Sequence, residues 1–235
     1  MSVLQRSSDW YEQRRGRFTA SDSINLISDG RREMTPEELI EFKKNNPKSQ
    51  AKTTSCIGES MYSLAFEKAY ESVFGIDENW NVDTWDMKRG VSLEPYAFEL
   101  YRQKKHLDFI DVELCSFIKY GDDAGASPDG LVLENNQDEP LEIKCPKPKK
   151  FFTLVHKGIE AIDPDYIVQM NMQMLVCDSD TAHFWNYIFY NGQDMTHEII
   201  VRRDEEIVKK IIERLPFAIE HRNKCIEELI KNKQF

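Results

Sequence analysis

Apolar side chains recur at three- and four-residue steps through the first half of the chain and at two-residue steps through much of the second. Ile57, Met61, Leu64, Ala65, Ala69, Val73 and Phe74 predict a helix over about 55–74, stopped by Gly75. Asp9 is placed to cap a short helix over Trp10–Arg15 that ends at Gly16, and Thr19 or Ser21 to cap the next, to about Ile27. Thr35-Pro36-Glu37-Glu38 puts a cap, a proline and two acids at the head of a helix running to about Lys44. The polar stretch from Lys44 to Thr54 reads as a loop, and Gly90 to Lys104 as a further helix.

The period then changes. Phe109 to Ile118, Gly130 to Leu133 and Leu141 to Cys145 are short apolar segments bounded by Gly, Pro, Asn and Asp, which predicts successive antiparallel strands. Asp163-Pro164 opens a helix to about Cys177. Two strands follow, Ala182–Tyr190 and Thr196–Val201, turned by Asn191-Gly192. Asp204 caps a long last helix, with a kink expected at Pro216. The economical reading is one α+β domain over residues 1–235, helical over 1–105, with a small mixed sheet flanked by helices over 106–235.

Composition narrows the function. With 235 residues, 40% apolar and 31% charged, the chain can bury a core without staples. The 41 acids against 31 bases give a net charge of -10, so any polyanion must be held by a local basic patch. No apolar run approaches the roughly 18 residues that span a bilayer. The N-terminal Met-Ser-Val-Leu-Gln-Arg is too polar for a signal peptide, so no membrane role and a cytoplasmic location are expected. Cys56, Cys115, Cys145, Cys177 and Cys225 form no C-x-x-C pair, and the five histidines are equally dispersed. A bound metal would therefore be held by carboxylates.

The densest chemistry lies in Gly125 to Lys150, GASPDGLVLENNQDEPLEIKCPKPKK. If the hairpin turn centres near Asn135–Asn136, facing residues have numbers summing to about 271, which sets Asp129 opposite Glu142, side chains roughly 5 Å apart. Pro140 argues for a longer loop and a slipped register. The two-residue period puts Glu142 and Lys144 on one face and Ile143 on the other, toward the core. Two carboxylates and a lysine are costly to desolvate together, and a hard cation such as Mg2+ offsets that cost. It also lowers the pKa of a bound water and neutralises a scissile phosphate, while the ammonium orients the water. Acids beside a hairpin turn also occur on ordinary surfaces. The case for a site rests on the alternation with Leu141 and Ile143, the tight Ser-Pro-Asp-Gly, and five lysines without an acid from Lys144 through Lys157.

These residues carry a resemblance. Asp129, twelve residues, then Glu142-Ile143-Lys144 resembles the PD-(D/E)XK nuclease core. The longer string G-A-S-P-D-G-L…L-E-I-K-C-P is similar to its lambda-type exonuclease branch, the YqaJ-like viral recombinase nucleases. Three further segments extend the likeness over about residues 10–200: the W-x3-R-x-G-x-x-T-A-S of Trp10 to Ser21, the G-x3-E of Gly90 to Glu94, and Tyr166-Ile167-Val168-Gln169. On the helix from Asp163, Tyr166, Gln169 and Gln173 form a polar stripe, with Met170, Met174 and Leu175 on another face. The Asp129–Glu142 spacing is longer than in the best-known relative. The further acid that relatives carry before Ser-Pro-Asp has only Asp122 and Asp123 as candidates, and residues 28–55 match no motif.

The resemblance implies a restriction-endonuclease-like α/β/α core and a Mg2+-dependent (Mn2+ as substitute) 5′→3′ exodeoxyribonuclease on double-stranded DNA ends, with two ions per site. Asp129, Glu142, the backbone carbonyl of Ile143 and Glu94 would bind metal. Lys144 and Gln169 would position the attacking water, and Arg14, Ser21 and Lys150 would grip the 5′ phosphate or nearby backbone. It further implies a ring-shaped homotrimer, a single-strand annealing protein as partner in recombination, and host cytoplasm if the chain is viral. The alternatives are a PD-(D/E)XK endonuclease, restriction or junction-resolving, and a non-catalytic DNA-binding module on the same fold.

Overall fold

A computed structural model of the chain describes residues 5–76, 84–105, 109–110, 116–134 and 137–232. Along it run α1 (Ser8–Arg14), β1 (Phe18–Thr19), α2 (Ser23–Leu26), β2 (Asp29–Glu33), α3 (Pro36–Asn45), β3 (Thr53–Ile57), α4 (Glu59–Phe74) and α5 (Trp85–Lys105). Then come β4 (Phe109–Ile110), β5 (Ile118–Tyr120), β6 (Ala124–Ala126), β7 (Gly130–Glu134), β8 (Gln137–Lys144), α6 (Pro148–Lys157), α7 (Pro164–Cys177), β9 (Thr181–Tyr190), β10 (Gln193–Arg202) and α8 (Glu205–Lys231). Among the described residues no helix is long and apolar enough to cross a membrane.

A five-stranded sheet in the order β10-β9-β8-β7-β4 is the frame, with β8 and β9 parallel and every other pair antiparallel. Alternation along the strands gives the sheet two covered faces. Val132, Leu141, Ile143, Trp185 and Tyr187 pack under Ala97, Phe98 and Tyr101 of α5. Ala182, Phe184 and Val201 pack against Leu154 of α6 and Met170 and Met174 of α7. A second core joins Val168 and Met172 of α7 to α2, α4, α8 and β6. The α+β expectation holds, with helices on both sides of a mixed sheet.

The predicted register holds as well: Gly130 pairs with Leu141 and Leu133 with Asp138, numbers summing to 271. Asn135 and Asn136, expected at the turn, lie outside the described residues. Pro140 does not shift the pairing. It faces Leu131, and the pairing of β8 with β9 starts one residue later, at Leu141, so its missing N–H is not needed by β9. Asn191 and Gly192, at φ 50° and 76°, make the predicted two-residue turn between β9 and β10. Thr35 and Asp204 cap as predicted, and α8 runs through Pro216 as one element.

Several expectations are corrected. Ser7, not Asp9, caps the first helix, its hydroxyl accepting the Trp10 N–H, while Thr19 caps the next turn of helix, as one of the two candidates. Residues 53–57 form a strand paired with β2, not the end of a loop and the start of a helix, because Ile57 fits both periods and the β-branched Thr53-Thr54 settles the choice. α5 starts at Trp85, where the Thr84 hydroxyl accepts the Met87 N–H, so Glu94 stands in mid-helix. α6 was not anticipated: its lysines masked the buried Phe151 and Leu154 behind Pro148. Of the segment Phe109–Ile118, residues 111–115 lie outside the described residues, and only Phe109–Ile110 and Ile118 onward are strand.

The link from α1 to β1 is clamped from two sides. Gly16, at φ 67°, donates its N–H to Glu71 Oε2 (3.1 Å), and its carbonyl accepts from the buried Arg222 (2.8 Å). Arg222 also binds Asp123 at 2.6 Å, while Lys68 ties Glu71 (3.0 Å) to Asp22 (3.3 Å). A Cβ at residue 16 would collide with the Ser72 hydroxyl in a backbone conformation that L residues avoid. Gly16→Ala is therefore expected to destabilise the chain by about 1–3 kcal/mol, read as a lower midpoint in thermal or urea unfolding.

Candidate active site

Asp129 sits one residue ahead of β7, where β8 runs on past the end of its partner. The ladder is completed by the side chain: Asp129 Oδ2 accepts the Ile143 N–H at 2.7 Å, and the Asp129 N–H donates to the Leu141 carbonyl at 2.9 Å. The next residue must be small, since a Cβ at Gly130 would stand 2.9 Å from the Phe98 ring. The Ser-Pro-Asp-Gly sequence thus fixes a carboxylate against β8 by backbone geometry.

Glu142 and Lys144 share one face of β8, and Ile143 faces the α5 core, as the period predicts. Glu142 is only 2% exposed. Its Oε1 accepts from Gln169 Nε2 at 2.9 Å and from the Lys144 ammonium, and its Oε2 accepts from Gln173 Nε2 at 2.6 Å. Lys144 Nζ also lies 4.7 Å from the centre of the Tyr166 ring. Tyr166, Gln169 and Gln173 are the polar stripe read from the sequence, and the structure turns it onto Glu142 and Lys144. Leu175 belongs to the helical core, away from Met170 and Met174.

Removal from water, then repulsion by Glu142 and Glu94, lifts the Asp129 carboxyl well above the usual carboxylate range, against the pull of Lys144 and the Ile143 N–H. Burial opposes the Lys144 charge, but Glu142 and Asp129 outweigh it and hold the ammonium protonated. Negative charge here exceeds what one lysine neutralises. The donors are hard oxygens, two carboxylates and nearby backbone carbonyls, and they suit a divalent cation such as Mg2+. Cys145 is no competing nucleophile, because burial, then Glu94, pushes its thiol up to about 12.

Ile143, Lys144, Cys145 and Tyr166 line a cleft of about 520 Å³, together with Arg6, Glu94, Lys150 and Asn186. Glu94 is held by Arg6 at 2.9 Å, and Arg6 adopts a left-handed backbone at φ 66°. Glu94 thus acts on Asp129 through the field rather than by joining it: among the described residues no three His, Cys, Asp or Glu side chains gather closely enough to hold a metal ion. The Lys150 ammonium is engaged by Asp163 (2.6 Å) and the Ala161 carbonyl (2.8 Å). Asp123 is spent on Arg222, and the Asp122 carbonyl accepts from Arg17.

Arg14 and Ser21 form a second cluster. The Arg14 guanidinium donates to Ser21 Oγ (3.2 Å), Thr19 Oγ1 (3.1 Å) and Ser127 Oγ (3.4 Å), and stacks 4.3 Å from the Trp10 ring centre. Trp10 Nε1 also donates to Ser127, at 3.1 Å. Burial holds the Arg14 pKa below its ordinary value, against the pull of Asp22. Sequence reasoning missed Ser127 and Arg6. Ser127 stood in plain view as the Ser of Ser-Pro-Asp, but its approach to Arg14 is long-range.

Residues 9–180 match the family described as the YqaJ-like viral recombinase domain. No curated protein matches the chain. Among solved structures it is similar to an alkaline exonuclease, LHK-Exo, from Laribacter hongkongensis, with TM-score 0.67 and 23% identity over 96% of this chain and 97% of that one. The same protein in complex with dAMP gives TM-score 0.66 and 21% identity over 96% of this chain and 97% of that one. A phage-related exonuclease from Haemophilus somnus gives TM-score 0.62 and 18% identity, covering 91% of this chain and 96% of the other. At these identities the likeness to solved structures is one of fold.

A raised carboxyl pKa means that the folded chain binds the proton more tightly than the unfolded one. The stability it confers is present at low pH and is lost as pH rises through the folded value. Asp129→Asn keeps an acceptor for Ile143 and removes the repelled charge. In EDTA at neutral pH its melting temperature is expected to exceed that of the wild type, by roughly 2–4 °C for each kcal/mol relieved, with the gap closing on acidification. Adding Mg2+ should raise the wild type and leave the variant unmoved.

Proposed function

The chain belongs to the YqaJ-like viral recombinase domain family, and from that premise we propose that it is a divalent-cation-dependent nuclease that degrades one strand of linear duplex DNA from its 5′ end. One observation carries the reading: the arginine–serine cluster and the carboxylate pair are joined by a single short segment. Ser127 belongs to the first and Asp129 to the second, at most about 7 Å apart along the backbone. A strand whose terminal phosphate rests on Arg14 and Ser21 then has its first phosphodiester beside Asp129.

The division of labour follows from chemistry. The Arg14 guanidinium offers a planar fork for phosphate, and the Ser21, Ser127 and Thr19 hydroxyls supply further donors. Asp129, Glu142 and the Ile143 carbonyl would hold Mg2+, or Mn2+ in its place, with Glu94 contributing charge from α5. Bound there, the cation supplies Lewis-acid activation of water and charge neutralisation on the phosphate. Lys144, steered by Glu142 and the Tyr166 ring, holds a proton-donating ammonium where the attacking water and the developing negative charge meet. Gln169 fixes the Glu142 carboxylate, and Lys150 is positioned for the adjacent backbone. The family's description as a recombinase supports a role in supplying single strands for annealing. A homotrimeric ring and a strand-annealing partner, implied by the resemblance read from the sequence, are parts of the same proposal.

Purified chain given linear duplex with a 5′ phosphate should release mononucleotides with Mg2+ and none with EDTA. Lys144→Ala and Asp129→Asn should each lose roughly 10²–10³-fold in rate. Arg14→Ala should lose roughly 10-fold or more on 5′-phosphorylated ends, with little change on 5′-hydroxyl ends. Closed circular duplex cut as fast as linear DNA would overturn the end-dependent reading in favour of an endonuclease. Binding without Mg2+-dependent hydrolysis would reduce the chain to a DNA-binding module.

A further inference from the structure

The hydrogen bonds around Glu142 do not fall evenly on its two oxygens. Oε1 takes the Gln169 amide at 2.9 Å and the Lys144 ammonium, whereas Oε2 takes the Gln173 amide at 2.6 Å. A carboxylate oxygen offers about two acceptor positions, so Oε1 is filled and Oε2 keeps one open. Gln173 is the residue that sets this asymmetry. It stands one helical turn beyond Gln169 on α7, is 1% exposed, and reaches the oxygen that Lys144 and Gln169 leave alone.

Gln173 is an expensive way to fill that space. Met170, Met172 and Met174 of the same helix are fully buried, so a thioether fits this environment. The carboxamide instead leaves its own Oε1 buried without a partner among the described residues, at a cost of about 1–3 kcal/mol. What the amide gains is its grip on Glu142. We infer that Gln173 is a positioning residue that locks the Glu142 carboxylate with one oxygen available for a divalent cation. The inference rests on the nuclease reading above and deepens it. Partners that orient a ligating carboxylate from behind govern metal affinity by roughly 10–100-fold.

The test measures Mn2+ binding to full-length chain without DNA, by calorimetry and by the electron paramagnetic resonance of free Mn2+, for wild type, Gln173→Met and Gln173→Asn. The asparagine variant keeps an amide but withdraws it by one methylene, so it carries the test should the methionine variant fail to fold. The dissociation constant for Mn2+ is expected to rise roughly 10–100-fold in either folded variant. The Mg2+ concentration for half-maximal strand degradation should rise in step. Unchanged Mn2+ affinity in a folded variant, whatever its melting temperature, would overturn the role of Gln173 and leave the nuclease reading standing. A wild-type chain that binds no Mn2+ would overturn both.

Discussion

A carboxylate in the middle of a covered sheet face is a heavy constraint, and Glu142 imposes it here. At 2% exposure it cannot rely on water, and every polar contact it makes must come from the protein. That requirement shapes α7. One side of the helix, with Val168 and Met172, enters the core shared with α2, α4 and α8. Another, with Met170 and Met174, covers β9 and β10. The narrow strip between them carries Gln169 and Gln173 to Glu142 and Tyr166 to Lys144. Three surfaces on fourteen residues leave little freedom in how α7 is rotated or shifted.

What the sequence made legible follows from which interactions are local. The β7–β8 register is short-range, set by strand period and hairpin symmetry, and the sum of 271 is met along the whole ladder. The stripe on α7 is likewise a matter of helical period. Arg14 and Ser21, singled out together from one motif, are in contact, being only seven residues apart. Contacts made by folding the chain back over long distances were not legible: Ser127 to Arg14, Arg6 to Glu94, and Arg222 to Gly16 and Asp123. Local pattern also misleads where two periods agree, as at Ile57, and where lysines dominate an amphipathic helix, as in α6.

The two clusters of the candidate site depend on each other through the backbone between Ser127 and Asp129. Gln5 Nε2 donates to the Pro128 carbonyl at 2.9 Å, and Trp10 and Arg14 both reach Ser127. The segment that presents Asp129 to β8 is thus also gripped by α1 and the residues before it. Behind α1, the clamp on Gly16 by Glu71 and Arg222 ties this grip to α4 and α8. The helical half therefore has a purpose beyond filling out the core: it sets the separation between the Arg14 cluster and the carboxylate pair.

The same view reconciles a net charge of -10 with the proposed polyanionic substrate. Three basic groups at the cleft are paired with acids: Lys147 with Asp86, Lys150 with Asp163, Arg6 with Glu94. Exposed pairs of this kind are worth little, commonly under about 1 kcal/mol, so a phosphate can replace the carboxylate at small cost. The other pairs differ because their carboxylate is buried: Glu71 with Lys68 and Glu142 with Lys144 cannot be traded so cheaply. Around the cleft the exchangeable bases are therefore the more exposed ones, and Lys144 is the fixed one. On the proposed reading, DNA displaces the outer acids as it enters, while Lys144 stays where Glu142 and Tyr166 hold it. On the same reading, acids that lower the resting affinity for DNA keep these bases ordered until a strand arrives.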